Sequence, residues 1–397
     1  MKFKIKVKKR LLKKYYKFVV FPLILIIGVY LGLNYQKNGT KVLPNEEITA
    51  KELNKKLNRK NFTFINVHTP YEGEIEQTDT FITYDEIVAN KDRLPEDKNT
   101  PIILYCKSGN MSEKALKTLK SLGYTNVAHL KGGMEAWAKA GFEVLDLAIL
   151  PSQVLPEEGF TLPISWANYG PELINLGVID KNKFESALQM TDEEKDIINN
   201  GGDIPININA KNSQFVVDLL WALGLAQESI VYKEGPMGKE YKDTAGNFAS
   251  TGGWNLAKRD AVNYLGKFNL IDLSTDEQIR VGEISKNIYR PCCGNNTWFP
   301  DCNHGMAALA AIELMVKENL SDEEIYKNVL KLNSFWFSES TLASATYFAR
   351  QGIVWDEVDA KEILGEKFSS AKGASDVAKK VGPLPYYNEN AGGSCGA

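Results

Sequence analysis

Between residues 48 and 145, short apolar runs alternate with segments of helical spacing. The runs FTFINV, PIILYC and NVAHL have the length of buried strands, and SEKALKTLKSLGY and MEAWAKAGF have helical periodicity. Thr49 and Glu52 form a capping box at the start of a further helix, AKELNKKL. Strands that alternate with helices form a parallel sheet covered on both faces. The sequence therefore predicts an α/β domain over residues 48–147.

Cys106 is the main candidate for chemistry in this domain. It follows the buried strand IILY and precedes the helix SEKALKTL, within the loop CKSGNMS. Loop amides and a helix N-terminus together make a positive pocket, which stabilises the nucleophilic thiolate form of cysteine. Gly109 permits the tight turn, and Lys107 adds a positive charge. The loop thus predicts a thiol that attacks sulfane sulfur and holds a persulfide, whereas the inert alternative is a buried structural cysteine.

Three segments of the domain resemble the rhodanese family of sulfurtransferases. They are FINV followed by TPYE, the loop ILYCKSGNMS, and GGMEAWAKAGFEV. The resemblance implies a rhodanese-like fold and sulfur transfer through a persulfide on Cys106, with a small sulfane-sulfur donor, a thiol acceptor and no required cofactor. It also implies an anion-binding loop made of Lys107, Ser108, Gly109, Asn110, Met111 and Ser112.

The chain departs from the family pattern at two segments beside the loop. Asn66-Val67-His68 stands where the family has Asp-Val-Arg, whose Asp and Arg normally form a structural ion pair. Gly73-Glu74-Ile75 stands where the family has Gly-His-Ile. Met111 replaces an Arg that many relatives carry, so the pocket is less cationic. A tyrosine-phosphatase-like site would need an Arg six positions after the cysteine, where Ser112 stands.

The N-terminal sequence predicts a membrane anchor. Residues 1–17 are rich in Lys and Arg and contain no acid, and an apolar run follows. The predicted span, residues 18–34, is at the short end of the roughly 17–25 residues that cross a bilayer. Positive charge before the span predicts a cytoplasmic N-terminus, with residues 35–47 as a tether and the later domains outside. A cleaved signal peptide is the alternative.

After residue 147 the pattern becomes mainly helical, and residues 148–388 are predicted to form a second domain. Residues 150–180 are rich in Pro and Gly and predict an irregular connector. Further on, capping boxes begin at Thr191, Ser274 and Ser321 and predict three helices. Residues 389–397 predict a flexible Gly/Cys tail. The formal net charge of −3 gives no reason to expect a nucleic-acid partner.

Cys292, Cys293, Cys302 and His304 lie within thirteen positions of the second domain. Thiolates and an imidazole are a suitable tetrahedral set for Zn²⁺ or Cu⁺. Against a metal site, the spacing matches no standard zinc pattern and two of the cysteines are adjacent. A disulfide from Cys302 to Cys292 or Cys293 suits an extracytoplasmic protein, and redox-active thiols are a third interpretation. These three interpretations remain open at this point.

Cys395 lies two positions before the last residue, in the Gly-rich tail, and completes the set of five cysteines. It is either a mobile thiol that accepts sulfur or exchanges with another site, or an inert cysteine. The leading functional prediction is a membrane-anchored extracytoplasmic sulfurtransferase, coupled to a thiol or metal site in the second domain. One alternative is a non-enzymatic protein that binds or senses soft metals and uses the first domain to dock a protein partner. Another is a thiol–disulfide exchange partner.

Overall fold

The computed structural model describes residue 43 and residues 45–387. The predicted basic head (1–17), membrane anchor (18–34) and Gly/Cys tail (389–397), and most of the predicted tether (35–47), lie outside the described residues. Among the described residues, no helix has the length and apolar character needed to cross a membrane.

The first domain is built on a parallel sheet, as the alternating pattern predicts. In the described part of the chain this sheet has five strands, in the order β1-β5-β4-β2-β3. The strands are β1 (Glu47–Ile48), β2 (Thr63–Asn66), β3 (Thr80–Phe81), β4 (Ile102–Tyr105) and β5 (Val127–Leu130). The helices are α1 (Ala50–Leu57), α2 (Asn110–Ser121) and α3 (Gly133–Lys139).

The central strand β4 explains why this segment is a continuous apolar run. All four of its residues are buried, because helices cover both faces of the sheet. Leu104 faces a core with Leu116 and Leu119 of α2, whereas Ile103 faces a core with Leu53 of α1 and Trp137 of α3. Cys106 therefore directly follows the carboxyl end of a fully buried strand.

The second domain is mainly helical, as predicted, but its first part is not the irregular connector expected over residues 150–180. That stretch contains a short helix, a strand and a second helix, and the strand pairs antiparallel with another about forty positions later. The prediction failed because the partner strand is distant and the pairing contains register shifts. These elements are α4 (Leu150–Val154), β6 (Phe160–Ala167), α5 (Tyr169–Leu176) and β7 (Gly202–Ile208).

Two apolar helices, α8 (Ser213–Ala226) and α13 (Asn303–Lys317), form the centre of the second domain. They approach closely at Gly224, where an added Cβ would lie 2.3 Å from the carbonyl oxygen of Met306. The other helices are α6 (Lys181–Ala187), α7 (Asp192–Asn200), α9 (Ile230–Glu234), α10 (Pro236–Lys239), α11 (Ala249–Gly252), α12 (Thr275–Ser285), α14 (Asp322–Trp336), α15 (Ser338–Ala349), α16 (Ala360–Leu364), α17 (Glu366–Ser369) and α18 (Ala371–Val381).

A buried ion pair joins the two domains. Glu74 of the first domain receives two hydrogen bonds from Arg350 of the second, at 2.6 Å from Nε and 2.8 Å from Nη2. Their side chains are 0% and 4% exposed. Beside the pair, Leu147 and Leu150 pack against Leu342 in an apolar cluster. The two domains are therefore in contact through a buried ion pair and an apolar cluster.

Candidate functional site

The Cys106 loop lies where β4 ends and α2 begins, and it wraps the sulfur in backbone donors. Cys106 is only 1% exposed. Its Sγ accepts the amide N–H of Gly109 at 3.1 Å and that of Ser112 at 3.4 Å. Gly109 has φ +96°, a left-handed conformation that turns its amide towards the sulfur. Two N–H groups aimed at one sulfur form a small cradle for negative charge.

The glycine pair Gly132-Gly133 brings the start of α3 against the same loop. The amide of Met134 donates to the carbonyl oxygen of Cys106 at 2.9 Å, and that of Glu135 donates to Lys107 at 3.0 Å. A Cβ on Gly133 would lie 2.1 Å from the Cys106 carbonyl oxygen. Only glycine fits there, so the glycine pair lets the start of α3 pack directly against the backbone of the Cys106 loop.

Ser112 connects the loop to the neighbouring strand β5. Its hydroxyl donates to the carbonyl oxygen of Gly109 at 3.0 Å and lies 3.2 Å from Nδ1 of His129. Because the single hydroxyl proton is used on Gly109, we assign the proton of this contact to His129 Nδ1. Burial lowers the pKa of His129, which favours this neutral form. The imidazole thus holds Ser112, and with it one of the two amides that face the sulfur.

Lys107 does not place its ammonium group on the sulfur. Its Nζ lies 2.6 Å from Oε2 of Glu72, and this pairing lowers the pKa of Glu72 and raises the pKa of Lys107. Nε2 of His68 lies 3.3 Å from the same carboxylate oxygen. The charge of Lys107 is therefore partly neutralised at the rim of the site.

The other predicted loop residues divide between solvent and core. Ser108 and Asn110 are exposed, and Met111 packs against the apolar core on the α2 side of the sheet. Of the predicted anion-binding residues, Gly109 and Ser112 thus contact the sulfur of Cys106. Sequence reasoning missed Glu72 and the contact of His129 with the loop. Glu72 follows the carboxyl end of β2, and His129 is the last residue but one of β5. A position near the carboxyl ends of parallel strands is the signal that could have indicated both residues.

The departure at Asn66 is accommodated without an ion pair. Its side-chain amide donates to the carbonyl oxygen of Gly73 at 3.0 Å, and its Oδ1 accepts the amide of His68 at 3.0 Å. Two neutral hydrogen bonds thus hold the segment that a charged pair holds in the family. The buried charge of this region is instead Glu74, whose partner is Arg350 of the second domain.

Comparison with known proteins agrees with this geometry. Residues 49–140 match the model of the family described as "Rhodanese-like domain". These residues form a rhodanese-like domain. The match covers strands β2 to β5, the Cys106 loop and the glycine pair that closes it, and it leaves β1 and the second domain outside.

Similar proteins share the same part of the chain. The probable adenylyltransferase/sulfurtransferase MoeZ of Mycobacterium tuberculosis is 34% identical over 97 residues, which are 23% of this chain and 24% of that protein. A tRNA uridine(34) hydroxylase of Erwinia tasmaniensis is 29% identical over 102 residues, which are 24% of this chain and 29% of that protein. The chain thus spans well under half the length of these curated relatives.

Solved structures also match part of the chain. The crystal structure of a rhodanese-like domain protein from Staphylococcus aureus matches 26% of this chain and all of its own chain. The two are 29% identical, and the TM-score is 0.23.

The second predicted site is a cluster in which the structure brings three of the four predicted residues close together. Sγ of Cys292 and Sγ of Cys302 are 3.5 Å apart, which exceeds the roughly 2.05 Å of a disulfide bond. The donor atoms of Cys292, Cys302 and His304 all lie within 4.8 Å of one another. Cys293 belongs to an overlapping group with Asp301 and Cys302. The cysteines are free thiols in this structure.

Arg290 is a residue of this cluster that sequence reasoning missed. Its guanidinium is fully buried and donates from Nη2 to Sγ of Cys293 at 3.3 Å and to Oδ1 of Asp301 at 3.0 Å. An arginine beside a cysteine pair gives no sign of burial in the sequence, since most arginines are exposed. Its position next to Pro291 and the cysteine pair was the only local signal.

The pKa values of the cluster residues are shifted in different directions. Hydrogen bonds from the Cys292 and Cys293 thiols, followed by the charge of Arg290, hold the pKa of Cys302 well below its ordinary value. Contacts with the sulfurs of Cys293 and Cys302, together with burial, raise the pKa of Cys292. Burial, together with the charge of Arg290, lowers the pKa of His304 to about 4.

Proposed function

We propose that this chain is a sulfurtransferase in which Cys106 carries the transferred sulfur. The observation that carries this proposal is the pair of N–H groups, from Gly109 and Ser112, that face the buried Sγ. Proteins with rhodanese-like domains use sulfane-sulfur donors and thiol acceptors. The name of the similar protein MoeZ, a probable adenylyltransferase/sulfurtransferase, supports the same class of reaction.

The chemistry requires two displacements at sulfur. In the first, the Cys106 thiolate attacks the outer sulfur of a donor such as thiosulfate, the S–S bond of the donor breaks, and sulfite leaves with the electron pair. The product is a Cys106 persulfide, whose negative charge the loop amides stabilise. In the second, an acceptor thiolate attacks the terminal sulfur and Cys106 leaves as a thiolate. The transfer needs no cofactor, because each nucleophile supplies its own electron pair.

We further propose that the protein is anchored in a membrane by residues 18–34, with the two domains outside the cytoplasm. The support is in the sequence: a basic head without acids precedes an apolar run. Digestion of sealed vesicles with an external protease tests the orientation. In vesicles that expose the cytoplasmic face, the domains should be protected; cleavage between residues 146 and 160 without detergent would contradict the proposed location.

The end of the described chain, Tyr386 and Tyr387, contacts both domains. The ring of Tyr386 lies 5.6 Å from that of Tyr71, next to Glu72 at the rim of the Cys106 loop. The hydroxyl of Tyr387 contacts Ser338 at 3.2 Å, and the adjoining Phe337 packs on His304. This arrangement supports coupling between the two sites.

Cys395 lies outside the described residues, and we propose it as an acceptor for the Cys106 persulfide. It follows Tyr387 by eight positions, a length of chain that spans at most about 28 Å. After loading with a donor, proteolysis and mass analysis should find sulfur on the peptide that contains Cys395. In a Cys395→Ser variant the sulfur should remain on Cys106; unchanged transfer to an added small thiol but none to Cys395 would contradict this role.

Intact-mass analysis of the full-length chain tests the proposed activity. After exposure to thiosulfate or, separately, to a polysulfide, the chain should gain one sulfur atom, and Cys106→Ser should not gain it. Cys302→Ser is the matched control and should gain it as the wild type does. No gain, with Cys106 still open to alkylation, would refute sulfur transfer from these donors. That result would instead favour a domain that docks protein partners.

A further inference from the structure

We propose that Cys292, Cys302 and His304 form a Zn²⁺ site with three protein ligands and a fourth position open to solvent. The site lies in the helical domain and does not depend on the sulfur chemistry of Cys106. Nothing in the rhodanese-like match extends to these residues, since that match ends at residue 140.

The spacing of the donor atoms fits the ion. Two Zn–S bonds of about 2.3 Å at a tetrahedral angle place their sulfurs about 3.8 Å apart, and the Cys292 and Cys302 sulfurs are 3.5 Å apart. A ring nitrogen of His304 lies within 4.8 Å of both sulfurs. A tetrahedral Zn²⁺ needs S–N separations of about 3.6 Å, so side-chain adjustments of at most about 1.2 Å place all three donor atoms at bonding distance from one ion.

The local fold holds two of the three ligands on a rigid element. Cys302 is the N-cap residue of α13, and His304 lies in the first turn of this fifteen-residue helix. The imidazole is buried against the ring of Phe337, at 4.6 Å between centroids. A ligand pair on the end of a central helix loses little conformational freedom on binding, which favours a preformed site.

The third ligand comes from a loop that Arg290 fixes in place. The guanidinium of Arg290 lies over Gly305, where an added Cβ would be 2.8 Å from the guanidinium carbon. It also donates to the carbonyl oxygen of Phe299 at 3.3 Å and to Asp301. Arg290 thus ties the segment that carries Cys292 to the start of α13. Glycine at 305 is required for this close approach.

The charges around the cluster are matched to a neutral metal centre. Two thiolates balance one Zn²⁺, and the buried charge of Arg290 is balanced separately by Asp301 at 3.0 Å. Sγ of Cys293 accepts a hydrogen bond from Arg290 at 3.3 Å, so we do not count Cys293 among the metal ligands. Cys292 is exposed, so the fourth coordination position faces solvent, as in zinc sites that bind water or a substrate.

Metal analysis of the full-length chain tests this assignment. The chain is purified with its thiols reduced, incubated with Zn²⁺, dialysed and analysed for metal. We expect one zinc per chain, reduced at least tenfold in Cys292→Ser and Cys302→Ser and unchanged in Cys293→Ser and Cys106→Ser. Since Cys292 is exposed, its variant should keep the wild-type circular dichroism, so a loss of zinc there is not a loss of fold.

Replacement of zinc by Co²⁺ gives a second measurement that reports the ligands themselves. A thiolate-to-cobalt charge-transfer band with the visible absorption of tetrahedral Co²⁺ is expected, and the band should weaken in Cys302→Ser. A chain that binds no zinc while its Cys292 and Cys302 form a disulfide would overturn the proposal. Equal loss of zinc in Cys293→Ser would overturn the three-ligand geometry, and binding of Cu⁺ in preference to Zn²⁺ would overturn the choice of metal.

Discussion

The ion pair between Glu74 and Arg350 should be the strongest single polar contact between the two domains. Both side chains are almost completely buried, and two charge-assisted hydrogen bonds of 2.6 and 2.8 Å join them. Arg350 is further satisfied by the carbonyl oxygen of Val381 at 2.8 Å. Because both charges are almost completely buried, removal of one leaves the other unpaired in a medium of low polarity.

We therefore expect Glu74→Met and Arg350→Met each to lower the free energy of unfolding by about 3–5 kcal/mol. This range agrees with the loss of two hydrogen bonds to charged groups, at about 1.5–3 kcal/mol each. The double variant Glu74→Met/Arg350→Met leaves no buried charge. It should lose much less than the sum of the two single variants, so a double-mutant cycle should show a large coupling energy.

Urea unfolding followed by circular dichroism measures these values, and limited proteolysis after residue 146 reports opening of the interface. The exposed pair Lys131–Glu47, at 2.7 Å, is the matched control, and Lys131→Met should leave the urea midpoint unchanged. If Arg350→Met behaves like this control, the interface is open to water and the reasoning is wrong. Additive single and double variants would show that the two residues do not act as a pair.

Three further outcomes follow from the contacts described above. Gly133→Ala should destabilise the loop and slow persulfide formation, because the new Cβ would lie 2.1 Å from the Cys106 carbonyl oxygen; Gly123→Ala, also at positive φ but with no atom within 4 Å, is the control in thermal unfolding. Burial raises the pKa of Glu313 from 4.5 to about 8, so the folded chain retains a proton that the unfolded chain releases. Stability should therefore fall between pH 4.5 and 8, by about 5 kcal/mol, and urea unfolding of Glu313→Gln should lack this fall. His129→Phe should slow persulfide formation at constant stability, since it releases Ser112, whereas an unchanged rate would show that the loop amides need no support from β5.

Much of the fold could be predicted because its signals are local. Capping boxes at Thr49, Thr191, Ser274 and Ser321 all appear in the structure, since each involves hydrogen bonds between residues three positions apart. The apolar run of β4 predicted a strand covered on both faces, which the parallel sheet confirms. The position of Cys106 between that strand and α2 likewise followed from adjacent residues alone.

Other features depend on residues that are far apart in the chain. The pairing of β6 with β7 turned an expected connector into ordered structure, because its stabilising partner is distant. Lys107 was expected beside the sulfur, but Glu72, which a separate loop brings near, takes its ammonium group.

The sequence alone therefore determined the class of the first domain, the helical character of the second, and the residues at which chemistry was to be sought. Only the tertiary structure decided which charges are buried and what they pair with. Glu74 and Arg350 are 276 positions apart, and Arg290 is hidden beneath the start of α13. Burial of a charge depends on every element packed around it, and no local pattern in the chain carries that information.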